Sequence, residues 1–276
     1  MISTDKPLAG KRIVVTRALE QSGEIVGALQ DLGAEVVLLP LVAFAPPEEW
    51  TALDRALQNL NCFDAILFLS RNAVRYVVQR CQALGIKCEA MSSSNRLVAA
   101  VGPATAEDAT KEGLRVSFVA EDHTGESLVR ELREQIAGLR VLLPRSDRGD
   151  ARVPSALREA GATVTEVTAY RTVAPAHLDP AVIERIHRGH VDAIVFASPS
   201  AFRNFSDSIG REAVSTTSAN VHFAAIGPTT ARAIRESGAR VAIEVTDAAS
   251  IRVSSMADAL AQFFQQRSAA SPARSA

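Results

Sequence analysis

Neither sign of charge is in excess: 30 Lys and Arg stand against 31 Asp and Glu. A dedicated nucleic-acid binder would carry a basic face or tail, so no nucleic-acid partner is expected. A small anionic ligand stays open, because a local cluster of donors suffices for it. Cysteine is rare. Cys62, Cys81 and Cys88 are odd in number and show no CxxC spacing, which points to reduced thiols in a cytoplasmic protein. No apolar run approaches the ~18 residues of a membrane span, and the opening MISTDKPLAGKR has no stretch of the signal-peptide kind. GxGxxG, GxxxxGK[ST] and GxSxG are all missing. The five histidines, His123, His177, His187, His190 and His222, lack zinc-ligand spacing. No metal, cofactor or membrane association is therefore expected.

What is present is repetition. Phe63–Tyr76 reads FDAILFLSRNAVRY and Val191–Asn204 reads VDAIVFASPSAFRN. Their aspartates, Asp64 and Asp192, stand about 128 positions apart, as in an internal duplication. Leu97–Ala106 (LVAAVGPATA) is matched by His222–Ala231 (HFAAIGPTTA). Lys11–Leu39 and Leu139–Ala169 each run from a short apolar strand through a helical stretch to a second strand. Six strands, Ile13–Thr16, Ala65–Leu69, Val98–Val101, Val141–Leu143, Ala193–Ala197 and Phe223–Ile226, are almost continuously apolar, as parallel strands buried on both faces must be. Helical periodicity over Glu24–Leu32, Val129–Ile136 and Ile183–Arg188 lies between them, and Gly33, Gly113, Gly161 and Gly238 stand where helices should end. The expected fold is α/β: two similar domains with parallel sheets flanked by helices. The 276 residues suffice for two domains.

The domain cut follows from the connectors. Leu38–Pro46 and Val167–Ala174 are longer than a core strand needs and end in Pro-containing stretches, so they read as a two-stranded linker. Domain 1 is then discontinuous, residues 1–41 with 174–266, and domain 2 is the insertion 42–173. Residues 267–276, small and polar, are expected to be a disordered tail.

Four strands lead into similar chemistry: Ser70-Arg71-Asn72, Gly102-Pro103-Ala104-Thr105, Ser198-Pro199-Ser200 and Gly227-Pro228-Thr229-Thr230. In three of the four, Ser or Gly stands at the N-cap and Pro at the first helical position, and each entrance leaves free backbone N–H groups beside a hydroxyl. Any one of these entrances is explained by capping alone. Together, at the carboxyl ends of parallel strands, they suit a ligand with many carboxylates held in a cleft between the domains. Thr16 ends the first strand, and Arg17 follows it in the place that corresponds to the arginines at the fourth strand end. Arg145, Arg148 and Arg152 flank the fourth strand end in PRSDRGDAR, where they form either a carboxylate clamp or a solvated loop salted by Asp147 and Asp150. Tyr170 is one of two tyrosines. It reads either as a core residue or as a linker tyrosine with its hydroxyl turned into the cleft.

FAAIGPTTA (Phe223–Ala231), FASPS (Phe196–Ser200), LFLSRNAV (Leu67–Val74), VGPATA (Val101–Ala106) and LREAGATVTEVTAYRTV (Leu157–Val173) fall in one order over about Lys11 to Leu260. As a set they resemble uroporphyrinogen-III synthase. The resemblance implies a monomeric lyase that needs no cofactor. It implies cyclisation of hydroxymethylbilane, a linear tetrapyrrole with four acetates and four propionates, to uroporphyrinogen III with inversion of ring D and loss of water. It implies transient contact with the enzyme that makes that substrate. It assigns Tyr170 to assisting departure of the hydroxyl. It assigns Ser70, Thr105, Ser198 and Thr230 to the cleft, and Thr229 with the amides beside Gly102 and Gly227 to carboxylate binding. Thr16, Arg17, Asn72, Arg145, Ser200 and Pro228 complete the candidate binding set. Two departures mark this chain: Arg71 stands where relatives often have Pro, and Asp150 where a basic residue is common. The alternative function is a non-catalytic two-domain protein that binds a tetrapyrrole or polycarboxylate.

Overall fold

The computed structural model describes residues 6–92, 95–246 and 253–270. The chain opens with β1 (Arg12–Val15), α1 (Gly23–Asp31), β2 (Glu35–Leu38), β3 (Ala43–Ala45) and α2 (Thr51–Gln58). It continues through β4 (Ala65–Phe68), α3 (Arg71–Leu84), β5 (Leu97–Ala100), α4 (Pro103–Lys111), β6 (Phe118–Val119), α5 (Gly125–Ile136), β7 (Arg140–Ser146) and α6 (Arg152–Glu159). The last third holds β8 (Thr163–Val173), α7 (Pro180–His187), β9 (Ala193–Phe196), α8 (Pro199–Ile209), α9 (Arg211–Asn220), β10 (His222–Ile226), α10 (Pro228–Glu236), β11 (Val241–Val245) and α11 (Val253–Ala270). Contacts divide the chain into two compact units, Met1–Ala43 with Val173–Ala276, and Phe44–Thr172.

The first unit holds a sheet of order β11-β10-β9-β1-β2, and the second one of order β3-β8-β7-β4-β5-β6. From β8 to β6 and throughout the first sheet the given pairings are parallel. The duplication is now visible as topology: β8-β7-β4-β5-β6 repeats β2-β1-β9-β10-β11 strand for strand. Every residue of β4 and of β9 is buried, because helices cover both faces of each sheet. In β4, Ile66 and Phe68 face one core while Ala65 and Leu67 face another. In the first unit Val14 and Ile194 lie on one side of the sheet, and Ile13, Val15 and Val195 on the other. Scarce aromatics are concentrated there: the rings of Phe202, Phe205 and Phe223 each lie 5.3 Å or 5.9 Å from a phenylalanine neighbour around Phe196. Such pairs add about 0.5–1.5 kcal/mol each beyond area burial.

The repeated aspartates earn their place at the strand starts. Asp64 accepts the Arg140 backbone N–H at 3.0 Å and two guanidinium N–H groups at 2.9 and 2.8 Å, and its own N–H donates to the Arg140 carbonyl at 2.8 Å. Asp192 does the same for β1, accepting the Arg12 N–H at 2.8 Å and Lys11 Nζ at 3.1 Å while donating to the Arg12 carbonyl at 2.8 Å. Each carboxylate pins the start of the neighbouring parallel strand.

Two expectations change. The stretch Leu38–Pro46 is not one strand: β2 ends at Leu38 and β3 begins at Ala43. Between them Leu39 and Leu41 still donate to the carbonyls of Val15 and Thr16, so the chain stays beside β1 before it leaves. The tail expected from Arg267 starts too early, since α11 continues through Ala270 with Met256, Leu260 and Phe264 buried along it. Residues 271–276 lie outside the described residues. No helix among the described residues is long and apolar enough to cross a membrane.

Candidate active site

In the second unit, β4 delivers the chain to Ser70 in extended conformation, and the Ser70 hydroxyl accepts the Ala73 N–H at 3.1 Å to cap α3. That oxygen also lies 3.0 Å from Tyr170 Oη. Tyr170 is 7% exposed. Its ring stacks on the only other tyrosine, Tyr76, at 5.7 Å and 12°, and Phe44 meets it edge-on at 5.7 Å. Burial pushes the phenol above its ordinary value, against the hydrogen bond with Ser70. The phenol is therefore a protonated hydrogen-bond donor at neutral pH. The ring belongs to the core, and the residue also lines a cavity of about 490 Å³ with Ser70, Arg145 and Ser146.

Arg145 and Arg152 are not free clamps. Arg145, 12% exposed, is bonded to Glu166, which also accepts Arg158 at 2.7 Å. Burial would raise the Glu166 carboxyl, but the bonds and charges of the two arginines outweigh it and hold it below the ordinary range. Arg152 is bound by Asp150 at 2.6 Å and by Glu126 at 2.8 Å. Asp150 also accepts the Arg152 backbone N–H at 2.8 Å, so the start of α6 carries an internal carboxylate where a ligand carboxylate would sit. The salted-loop reading holds for Arg152. Arg145 lines the cavity as half of an ion pair, with one Glu shared between two Arg.

The remaining entrances keep their geometry. Gly102 precedes Pro103 in extended conformation at the start of α4, with Thr105 buried in the first turn. Asn72 is buried in the first turn of α3. In the first unit Ser198 caps α8 by accepting the Ala201 N–H at 3.1 Å, and its hydroxyl lies 3.1 Å from that of Ser200. Gly227 precedes Pro228 at the start of α10, where Thr229 is exposed and Thr230 buried. Neither Thr105 nor Thr230 hydroxyl bonds another described residue, so both keep their hydrogen-bonding capacity. Arg17, past the end of β1, is partly buried; burial lowers its pKa against the charge of Glu24. Thr16 is a correction. It is fully buried and its hydroxyl donates to the Val195 carbonyl at 2.8 Å, so it struts β1 to β9 and has no surface for a ligand.

Sequence reasoning missed Ser146, Glu126, Glu166 and His123. His123 has φ of 56° and its ring lies against Gly102. Its Nδ1 lies 3.1 Å from the Ala120 carbonyl; a carbonyl only accepts, so Nδ1 carries a proton there. Glu166 could be found only from the register, which pairs it with Leu143 beside Arg145. Among the described residues no group of three His, Cys, Asp or Glu gathers to hold a metal.

Parallel strands that bring a capped serine, a buried phenol and a polar cavity to their carboxyl ends are the α/β arrangement that binds small molecules. The family model described as uroporphyrinogen-III synthase HemD matches residues 23–251. A uroporphyrinogen-III synthase of Synechococcus elongatus is 31% identical over 247 residues, covering 88% of this chain and 92% of that one. Two solved structures share the fold. A mutant uroporphyrinogen III synthase of Thermus thermophilus is 23% identical with a TM-score of 0.58, over 93% of this chain and 99% of that one. The uroporphyrinogen-III synthetase of Helicobacter pylori is 16% identical with a TM-score of 0.60, over 90% and 97%. The chain belongs to the uroporphyrinogen-III synthase family, lyases of tetrapyrrole biosynthesis.

Proposed function

We propose that this chain cyclises hydroxymethylbilane to uroporphyrinogen III, with inversion of ring D and loss of water. The observation that carries the reading is the Tyr170–Ser70 hydrogen bond of 3.0 Å on the wall of the second unit's cavity. A phenol held protonated by burial can donate to the terminal hydroxyl of the bilane as its carbon–oxygen bond breaks. The hydroxyl leaves as water, and ring A becomes an azafulvene. The substituted carbon of ring D attacks it, giving a spiro intermediate. That intermediate fragments and recloses through the unsubstituted position of ring D, which gives up its proton and so returns the one spent on the departing hydroxyl. Acid help is needed at the first step; the later steps need the two ends of the chain held together.

In this reading the candidate donors to substrate carboxylates are backbone N–H groups and hydroxyls at the helix entrances, taken unit by unit: Ser70, Asn72, Gly102 and Thr105 in the second unit, and Ser198, Ser200, Gly227, Thr229 and Thr230 in the first, where Pro228 has no N–H to give and only shapes the turn. Arg17 adds charge to the first unit. The protein works as a monomer in the cytoplasm, where Cys62, Cys81 and Cys88 remain free thiols. The test is to supply freshly made hydroxymethylbilane and separate the uroporphyrinogen isomers. The type III isomer supports the reading. Formation of the spontaneous type I isomer alone, with bilane bound, marks a binding protein instead.

A further inference from the structure

The side chains of β8 do not alternate to its end. Val167 and Ala169 face the α3 side of the sheet, while Glu166 and Thr168 are on the other parity. Strict alternation would send Tyr170 to the face of Thr168, away from Ser70. Instead Ala169 and Tyr170 are buried in succession, in the same core. The register shows why: Arg145 pairs with Thr168 and Ser146 with Tyr170, so Ala169 is an extra residue in a bulge. Such bulges re-aim side chains beside functional sites.

What holds the bulge is a compact set of bonds around Asp147. Its N–H donates to the Tyr170 carbonyl at 3.1 Å. Its Oδ1 accepts the Thr172 N–H at 2.9 Å and the Ser146 hydroxyl at 2.9 Å. The Ser146 and Thr172 hydroxyls lie 2.9 Å apart. One residue thus grips β8 immediately before and after Arg171, through backbone groups that fix the direction of Tyr170. No feature of the reaction proposed above needs Asp147 to touch substrate.

We infer that Asp147 is a positioning residue: it clamps the β8 bulge and thereby aims the Tyr170 phenol at Ser70. The inference rests, for its catalytic consequence, on the role proposed for Tyr170; the clamp itself does not. The decisive feature is an acceptor at Oδ1, not a charge. Asp147→Asn can keep that acceptor, whereas Asp147→Ala cannot.

The test uses the full chain with ¹³C-labelled tyrosine rings. Only Tyr76 and Tyr170 give signals, assigned through Tyr76→Phe. Asp147→Ala is expected to shift or broaden the Tyr170 ring signals and to lower turnover about 10-fold, with KM nearly unchanged. Asp147→Asn is expected to restore both. If Asp147→Ala does not fold, Thr172→Val, which removes the hydroxyl that meets Ser146 and keeps the N–H bonded to Asp147, is expected to shift the same signals less. Tyr170 signals unmoved in either folded variant overturn the clamp. Asp147→Asn behaving like Asp147→Ala also overturns it, since charge would then be what matters. Signals that move while turnover holds support the clamp and overturn instead the catalytic role of Tyr170.

Discussion

The Ser70 hydroxyl serves two partners at once: it caps α3 through the Ala73 N–H at 3.1 Å and meets the Tyr170 phenol at 3.0 Å. Its duplicate, Ser198, caps α8 through the Ala201 N–H at 3.1 Å and meets another serine instead. The duplication therefore supplies an internal control. Ser70→Ala and Ser198→Ala should each cost about 1 kcal/mol in urea unfolding, the usual worth of an N-cap. Ser198→Ala, at a proposed carboxylate contact, should act on KM, while only Ser70→Ala should remove a direct partner of the phenol and lower turnover at saturating substrate beyond what the loss of stability explains. Equal effects of the two on turnover would separate Tyr170 from Ser70 functionally.

Gly102 and Gly227 stand at equivalent entrances and are glycine for different reasons. Gly227 has φ of 87° and ψ of 151°, close to a region that only glycine occupies easily, yet an added Cβ would meet nothing within 4 Å. Gly227→Ala should cost about 1–3 kcal/mol through backbone strain alone. Gly102 is extended, and a Cβ there would come within 3.2 Å of His123. Gly102→Ala should be relieved by a second change, His123→Gly, with a coupling of about 0.5 kcal/mol or more in a double-mutant cycle. Simple additivity would mean that His123 does not set the limit at Gly102.

His222 gives the first unit a pH dependence. Its ring lies 4.9 Å from that of Phe263 and 5.8 Å from that of Phe264 on α11. Burial lowers its pKa below 6.5, aided by Arg267, Lys11 and Arg240 and opposed by Asp192. The unfolded chain then takes up this proton first as acid is added. Stability is full above the unfolded value and falls as the pH drops through the depressed folded value. Melting temperature should drop by a few degrees between about pH 7.5 and pH 5.5, and His222→Phe should flatten that part of the profile. An unchanged slope in the variant would assign the acid sensitivity elsewhere.

The fold was legible because its signals are local and repeated. Apolar runs such as AILF and AIVF are too short and too uniformly buried for anything but strands between two helical layers, and the recurrence of each unit gave the second sheet from the first. Gly33, Gly113, Gly161 and Gly238, placed at helix ends by pattern, all have positive φ. Of the candidate site, the residue types at strand ends were legible: Ser70, Arg145 and Tyr170 share one cavity. Its electrostatics were not. Whether Arg145 is free depends on the β7–β8 register that brings Glu166 alongside. Thr16 looks like any strand-end hydroxyl until the Val195 carbonyl is seen to take it. The bulge did leave a trace, the adjacent buried pair Ala169-Tyr170 breaking the alternation of β8, but a period of two cannot say which way the chain turns afterwards.

One buried phenol at the cavity wall carries the acid step proposed for this chain. The direct measurement is the rate of type III uroporphyrinogen formation by Tyr170→Phe against the unaltered chain, at equal folded concentration. The substitution keeps the stack on Tyr76 and removes only the donor. The predicted result is a fall in turnover of about 10-fold or more with KM little changed. Turnover equal to that of the unaltered chain would contradict the account.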